Sequence, residues 1–320
     1  MQGSQPARSR TAATSGPVAR RLELPGRGVT IALLDWQDEA AAADAPLVLM
    51  HHANGFCAGT LALVAQALTP AFRVIGMDAR GHGGSSRPVG AGAYGWDEFA
   101  LDALAVAEAL APAHGGRIAV GLGHSFGGTA MLGAAARRPA LFERLVLVDP
   151  VLPTPEWASA DPERGQRGAR LVEGARRRRS VWASRAEARA HFAGRSLFRR
   201  WQPAALDAYV EHGLRERADG QVELACPGAV EATIFAAAAL GLDVVDLARR
   251  AAPVPATVLW ARHGDFPRAV FERVFAAMPG ARLVDAEAGH LIPMERPELV
   301  VREVAAAASA RAERSSPCAP

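Results

Sequence analysis

Short apolar runs and longer amphipathic segments alternate along most of this 320-residue chain from residue 29 onward. The strand-like runs are residues 29–34, 47–50, 74–77, 118–122, 145–148 and 257–260, with a weaker run at 283–284, and the amphipathic segments include residues 61–68, 97–110 and 127–136. Parallel strands must be joined by a long crossover, usually a helix, so this alternation is typical of a parallel sheet with helices on both faces. The sequence therefore predicts an α/β fold with a mostly parallel central sheet.

The alternation stops between residues 153 and 252, where helix-favouring sequence is broken by Pro and Gly. A helical insertion into an α/β core explains this, and such a piece can lie over the carboxyl ends of the strands, where ligands bind. We therefore expect a helical cap, or lid. The expected division is a disordered tail (1–20), the first part of the core (21–152), the cap (153–252), the second part of the core (253–311) and a flexible tail (312–320).

The composition excludes several classes of protein. Half of the residues are apolar, 22% are charged and the formal net charge is +3, which excludes a wholly disordered chain. The apolar runs are too short to predict a membrane-spanning helix, and the three cysteines are too few and scattered for a disulfide framework or a zinc site. The arginine-rich start of the chain resembles a transit peptide in composition only. We expect a cytoplasmic protein with no metal and no cofactor.

The motif Gly-His-Ser-Phe-Gly-Gly at residues 123–128 follows a strand-like run and opens an amphipathic segment. A G-x-S-x-G pattern in this context is typical of a nucleophile elbow, a tight turn that raises a serine hydroxyl above the sheet. Glycines flank the serine because side chains there would collide with the neighbouring backbone. Ser125 is therefore the candidate nucleophile.

A serine nucleophile needs a base within hydrogen-bond reach and a group that orients the base. In chains with such an elbow, the acid and then the histidine follow the serine. His290 stands on the loop after the last strand-like run and is the candidate base. Two acids compete for the orienting role: Asp265, after run 257–260, and Asp149, at the end of run 145–148. Asp265 is preferred and Asp149 is the alternative.

These motifs, with Asp-Ala-Arg-Gly-His-Gly-Gly-Ser at residues 78–85, resemble the α/β-hydrolase superfamily, and more narrowly its lidded branch of esterases, C–C hydrolases and cofactor-free haloperoxidases. The resemblance covers about residues 21–152 and 253–311, and it implies a Ser-His-Asp triad and a mainly scaffolding role for residues 78–85. A serine nucleophile argues against haloalkane dehalogenases and epoxide hydrolases, which need a carboxylate to form an alkyl-enzyme ester. The segment before Asp265 is one residue longer than usual, which keeps Asp149 open.

The resemblance also implies an oxyanion hole built from two backbone N–H groups. One belongs to Phe126, directly after the nucleophile. Aligning residues 54–56 with the family's His-Gly-x segment assigns the second N–H group to Phe56. Asn54 departs from the histidine that the family has at its position.

The cap is rich in arginine, with twelve arginines against four acids in residues 161–200. The run of four arginines at 176–179 is interpreted as a solvated helix face, with attraction of an anionic substrate as the alternative. Ligand sites are mostly apolar with a few polar groups, so some cap aromatics should line the pocket. The expected substrate contacts are His52, Asn54, His124, Trp157, Trp182 and Leu291.

The first interpretation is a carboxylesterase-like serine hydrolase (EC 3.1.1) that cleaves a small-molecule carboxylic ester or lactone through an acyl-enzyme. C–C hydrolysis of a diketone-like substrate and peracid-forming haloperoxidase chemistry use the same triad and stay open. A small-molecule sensor on the same fold is the non-enzymatic alternative. Nucleic acid and membrane are not expected as partners, and the sequence leaves monomer and homodimer open.

Overall fold

A computed structural model describes residues 16–36, 45–69, 71–90, 92–154, 162–238 and 242–315. Its strands are β1 (Val18–Leu24), β2 (Val29–Trp36), β3 (Leu47–His51), β4 (Arg73–Met77), β5 (Val120–His124), β6 (Leu145–Val148), β7 (Val181–Trp182), β8 (Leu214–Glu216), β9 (Val222–Leu224), β10 (Ala256–Ala261) and β11 (Ala281–Ala286). Eight of these form one sheet in the order β1-β2-β4-β3-β5-β6-β10-β11. The pairs from β4 to β11 are parallel, and only β1–β2 and β2–β4 are antiparallel. The predicted α/β fold class is confirmed.

Some of the helices cover the two faces of the sheet, and others belong to the insertion between β6 and β10. The helices are α1 (Ala62–Leu68), α2 (Trp96–Leu110), α3 (Phe126–Arg137), α4 (Pro162–Arg177), α5 (Arg185–Ala193), α6 (Pro203–His212), α7 (Gly228–Ala237), α8 (Val244–Ala251), α9 (Arg268–Phe275), α10 (Ile292–Glu295) and α11 (Pro297–Ser315). One apolar cluster joins the sheet to α2, α3, α8 and α9, and a second joins its other face to α1 and α11. Strands β3, β5 and β6 are therefore buried on both faces, which explains their nearly continuous apolar sequence.

The insertion between β6 and β10 contains helices and a small sheet that the sequence analysis did not predict. Strands β7, β9 and β8 pair antiparallel in that order. They are two or three residues long, too short to leave an alternating apolar pattern. Aromatic side chains of β7, α5 and α6 form the centre of a separate apolar cluster, hereafter the cap cluster.

Helix α8 falls inside the predicted cap (153–252) but packs with the core. Its side chains Val244, Leu247, Ala248 and Ala251 belong to the apolar cluster that also holds α3. Asp243 caps this helix by accepting hydrogen bonds from the N–H groups of Val245 (3.1 Å) and Asp246 (2.9 Å). The strand–helix alternation of the core thus resumes at the amphipathic helix α8, before strand β10.

The two ends of the chain differ from the expected tails. The disordered tail predicted for residues 1–20 is wrong for residues 18–20, because β1 begins at Val18 and pairs antiparallel with β2. This strand was missed because it lies at the sheet edge and is mostly exposed, so it carries no clear apolar run. At the other end α11 continues to Ser315, beyond the predicted start of the tail at residue 312. Residues 1–15 and 316–320 lie outside the described ranges.

Candidate active site

Ser125 occupies the turn between strand β5 and helix α3. Its backbone has φ 57° and ψ −125°, a conformation that L-residues rarely adopt and that is typical of a strained functional turn. The Ser125 N–H donates to the Val148 carbonyl of the neighbouring strand (2.9 Å), and the Ser125 carbonyl accepts from the N–H of Gly128 (2.9 Å). These bonds hold the turn so that the serine side chain emerges at the carboxyl end of the sheet.

Gly127 allows the turn to approach the loop that follows β3. A Cβ atom at this position would lie closer than 3.0 Å to the backbone carbonyl oxygens of both His51 and His52. Backbone atoms cannot yield as a flexible side chain can, so only glycine fits here. The elbow and the loop after β3 are therefore in direct contact, as an oxyanion hole shared between them would require.

His290 links Ser125 to a buried carboxylate. The Ser125 hydroxyl donates to His290 Nε2 (2.8 Å), and His290 Nδ1–H donates to Asp149 Oδ2 (2.6 Å). The ring of Phe266 packs edge-on against the His290 imidazole, with centroids 5.1 Å apart. The structure thus brings the predicted nucleophile and the predicted base within hydrogen-bond distance.

The acid beside His290 is Asp149, and the preference for Asp265 is corrected. The Asp149 carboxylate is buried, and its second oxygen accepts from the Ala261 N–H (2.9 Å). Asp265 instead has a side chain that is 81% exposed and lies 3.8 Å from the Arg167 guanidinium. The physical reason is strand order: β6 lies between β5 and β10, so a residue at its carboxyl end falls beside Ser125.

The two predicted oxyanion donors lie in different settings. Phe126 is the first residue of α3, where a helix leaves its N–H groups without intrahelical partners. The Phe56 N–H already donates to the Ala53 carbonyl (3.3 Å), which corrects its assignment as a free donor. The Gly55 N–H likewise donates to His82 Nε2 (3.0 Å). In the segment 54–56, the backbone N–H of Asn54 has no hydrogen-bond acceptor among the described residues, in contrast to those of Gly55 and Phe56.

Residues 78–85 act as scaffold, as the resemblance implies, and the segment that they hold is the loop after β3. Asp78 accepts from the Ala58 N–H (2.7 Å) and from the Gly84 N–H (2.9 Å). In the reverse direction, the Ala79 N–H donates to His52 Nε2 (3.0 Å). The dense pattern of Asp, His and Gly in this segment suits that role, because such residues bond readily to nearby backbone.

Four buried histidines surround the candidate site and are uncharged at neutral pH. Burial lowers the pKa of His51 to about 3, of His52 to about 4 and of His124 to about 3, and it lowers that of His82 well below its usual value. Each makes a hydrogen bond with a backbone carbonyl; His52 Nδ1–H, for example, donates to Ala53 (2.7 Å). They therefore act as neutral hydrogen-bonding groups, and His290 is the histidine placed to exchange a proton with Ser125.

The other predicted substrate contacts divide between the site and the cap cluster. His52 and Asn54 lie on the loop after β3, and His124 Nε2 bonds the His290 carbonyl (2.9 Å). Trp182 and Leu291 are buried in the cap cluster, which also holds Ala53 and Phe56 of the loop after β3. Trp182 packs against Phe192, His191 and the Arg179 guanidinium. Trp157 lies outside the described residues.

Two further properties of the described chain bear on its chemistry. Within the described ranges, no group of three His, Cys, Asp or Glu side chains is arranged to hold a metal ion. No helix in the same ranges is both long and apolar enough to cross a membrane.

Comparison with known proteins places this geometry in a family. Residues 47–303 match the model of the alpha/beta hydrolase family. Two curated relatives, the abhydrolase domain-containing proteins ACTT2-1 and ACTT2-2 of Alternaria alternata, are each 34% identical over 113 residues, a match that covers 33% of this chain and only 39% of either relative.

Solved structures share the fold over nearly the whole chain. E-2-(acetamidomethylene)succinate hydrolase superposes with a TM-score of 0.75 at 21% identity, covering 91% of this chain and 98% of the other. The enol-lactonase of Burkholderia xenovorans LB400 gives a TM-score of 0.64 at 21% identity, covering 88% and 97%. At such identities the likeness shows the fold alone, whereas the family model spans most of the sequence. The chain belongs to the alpha/beta hydrolase family.

Proposed function

We propose that this protein is a serine hydrolase that cleaves a carboxylic ester or lactone of a small molecule through an acyl-enzyme. The observation that carries the proposal is the hydrogen-bonded chain from Ser125 Oγ through His290 to Asp149. A neutral serine is a weak nucleophile, and this arrangement activates it by giving its proton an acceptor of fixed orientation.

In the proposed mechanism, the Ser125 hydroxyl attacks the substrate carbonyl while His290 Nε2 takes its proton. The buried Asp149 carboxylate keeps the proton of His290 on Nδ1 and stabilises the imidazolium that forms. His290 then protonates the departing alcohol, which leaves an ester bond between the substrate acyl group and Ser125. Water, deprotonated by the same imidazole, attacks this ester and releases the acid.

The negative charge on the tetrahedral intermediate needs backbone donors. We assign the Phe126 N–H as one donor, since it stands at the positive end of α3. The second donor in this proposal is the Asn54 N–H, because the N–H groups of Gly55 and Phe56 are engaged elsewhere. Each such donor contributes about 3 kcal/mol to catalysis.

Two further observations support the class of substrate and its setting. The solved enol-lactonase of Burkholderia xenovorans shares this fold, which is consistent with an ester or lactone as substrate. Cys57 and Cys226 are buried free thiols, which suits the reducing cytoplasm that we propose as the place of action.

Covalent labelling tests the proposal directly. Full-length protein would be treated with a fluorescent alkyl fluorophosphonate and the labelled peptide located by mass spectrometry, beside a Ser125→Ala variant whose folding is checked by circular dichroism. We expect labelling at Ser125, loss of labelling in the variant, and multiple turnover of p-nitrophenyl esters or of a lactone. Absence of labelling in folded wild-type protein would refute an activated serine. Labelling without turnover of any ester or lactone would refute the substrate class.

A further inference from the structure

Helix α7 of the insertion is hydrogen-bonded to the core at two places, the candidate oxyanion loop (residues 54–56) and helix α2. Asn54 Nδ2–H donates to the Glu231 carbonyl (3.1 Å), and Trp96 Nε1–H on α2 donates to the Ile234 carbonyl (2.9 Å). Ile234 is buried in an apolar cluster with Trp96 and Phe126. This part of the cap is thus docked on the core.

The side chain of Glu231 lies directly over the backbone of Gly55. A Cβ atom on Gly55 would approach Glu231 Oε1 closer than 3.0 Å, so the carboxylate fills the space that a side chain would occupy. The other oxygen, Oε2, forms an ion pair with Arg178 Nη1. The carboxylate is therefore held in place by an arginine while it rests on the loop.

Arg178 reaches the same loop by a second route. Its Nη2–H donates to the Tyr209 hydroxyl (3.0 Å), and the Tyr209 ring packs edge-on against Phe56, with centroids 5.3 Å apart. Tyr209 is buried in the cap cluster. The Arg178 guanidinium thus connects Glu231, which lies over Gly55, with Tyr209, which packs against Phe56.

Arg178 does not belong to a solvated helix face, as the sequence analysis expected of the whole arginine run. Its side chain is 21% exposed, whereas the side chain of Arg177 is 74% exposed and pairs with Glu173 on the same helix. Burial opposes the charge of Arg178, but the hydrogen-bonded Tyr209 and Glu231 outweigh burial and raise its pKa. It stays charged, and its charge is directed into the protein.

We propose that Arg178 and Glu231 are positioning residues, through which the cap holds residues 54–56 in the conformation that catalysis requires. This inference rests on the proposed function. The core holds the loop by the bond from the Gly55 N–H to His82 Nε2 (3.0 Å), and the cap holds it through the Glu231 carboxylate over Gly55, which Arg178 fixes. Oxyanion donors act only when they are preorganised, so a displacement of about 1 Å is enough to slow the reaction strongly.

Hydrogen exchange tests the positioning without any assay of activity. Full-length wild type, Arg178→Gln and Glu231→Gln would be compared by mass spectrometry. Arg177→Gln is the control, because it removes the exposed arginine next to Arg178 in the sequence. Glu231→Gln is isosteric and removes only the charge, so it serves if Arg178→Gln folds poorly. We expect the hydrogen-bonded amides of Gly55, Phe56 and Ala58 to exchange about tenfold faster in both cap variants, with the sheet unchanged. Exchange at the wild-type rate would overturn the proposal.

Kinetics then distinguish positioning from attraction of an anionic substrate. With a neutral p-nitrophenyl ester, we expect Arg178→Gln and Glu231→Gln to lower kcat about 10- to 100-fold with little change in KM, while Arg177→Gln matches wild type. Affinity for a trifluoromethyl ketone, whose adduct carries the oxyanion, should fall in parallel with kcat, and Arg178→Lys should restore part of both. A loss confined to KM for anionic esters would overturn positioning. Wild-type protein that hydrolyses no ester would instead refute the proposed function, while hydrogen exchange still decides whether the cap holds the loop.

Discussion

His290 Nδ1 and Asp149 Oδ2 lie 2.6 Å apart although 141 residues separate them in the sequence. The proposed mechanism needs this contact because it fixes the tautomer of the imidazole. In Asp149→Asn, the amide oxygen would keep the Ala261 N–H and the amide NH₂ would face Nδ1, which moves the ring proton to Nε2. His290 could then no longer accept the serine proton. We expect kcat for an ester substrate to fall about 10³- to 10⁴-fold, measured by initial rates at pH 7.5.

The matched control is Asp265→Asn, which removes the same charge from an exposed turn. We expect it to stay within about twofold of wild-type kcat, since the Asp265 carboxylate is exposed and exposed charges contribute little. If Asp265→Asn lost activity while Asp149→Asn kept it, the assignment of Asp149 as the acid of the triad would be wrong.

Gly55 and Gly220 form a pair that separates backbone strain from the contact with Glu231. Both have φ of +79°, but a Cβ on Gly220 meets nothing within 4 Å, whereas one on Gly55 meets the Glu231 carboxylate. Gly220→Ala should therefore cost only strain, about 1 kcal/mol in urea unfolding, and leave kcat unchanged. Gly55→Ala should cost at least as much and also lower kcat at least tenfold, because it displaces the loop or the cap side chain. Equal kcat in the two variants would contradict a role for the contact over Gly55.

The sequence predicted the strands of the core sheet apart from the exposed edge strand β1, because apolar periodicity reports burial. The candidate nucleophile and base were predictable too, since the elbow around Ser125 and the loop bearing His290 are local features of the chain. The choice between Asp149 and Asp265 depended on which strand lies beside β5. Spatial strand order is a property of the whole fold, and no local pattern at either aspartate reports it.

The roles of Arg178 and Glu231 were hidden for a related reason. Arg178 stands in a run of four arginines, where local sequence indicates solvent exposure for every member. What distinguishes it is a partner 53 residues away on α7, whose placement depends on tertiary packing. Pairings of this kind are long-range in sequence, so composition and periodicity cannot identify them.

Arg80 and Asp102 form a buried ion pair that should be costly to break. Their side chains are 3% and 1% exposed, and two N–H groups of Arg80 bond the carboxylate at 2.6 and 2.7 Å. Asp102→Asn would leave a buried guanidinium with reduced compensation, and we expect a loss of about 3 kcal/mol in the free energy of unfolding by urea. Glu108→Gln, which breaks an exposed pair with Arg138, should cost less than about 1 kcal/mol. Similar losses of unfolding free energy in the two variants would contradict the expectation that the buried pair is costlier to break than the exposed one.

The buried histidines predict that the protein loses stability as the pH falls below 6.5. For a histidine whose folded-state pKa is lowered, the unfolded chain binds a proton that the folded chain does not, so stability falls between the unfolded pKa of 6.5 and the folded value. With a folded pKa of about 3, His124 alone should cost about 2 kcal/mol between pH 7.5 and pH 5. Buried Asp78 acts in the opposite direction, because its raised pKa favours proton uptake by the folded state. Urea unfolding at pH 7.5 and pH 5 measures the net effect.

A His124→Gln variant isolates the contribution of one histidine from that of Asp78 and the other three. Its amide can still donate to the His290 carbonyl, which His124 Nε2 bonds in the wild type. We expect the loss of stability between pH 7.5 and pH 5 to shrink by about 2 kcal/mol in this variant. An identical pH dependence in wild type and His124→Gln would show that His124 is not held neutral by burial.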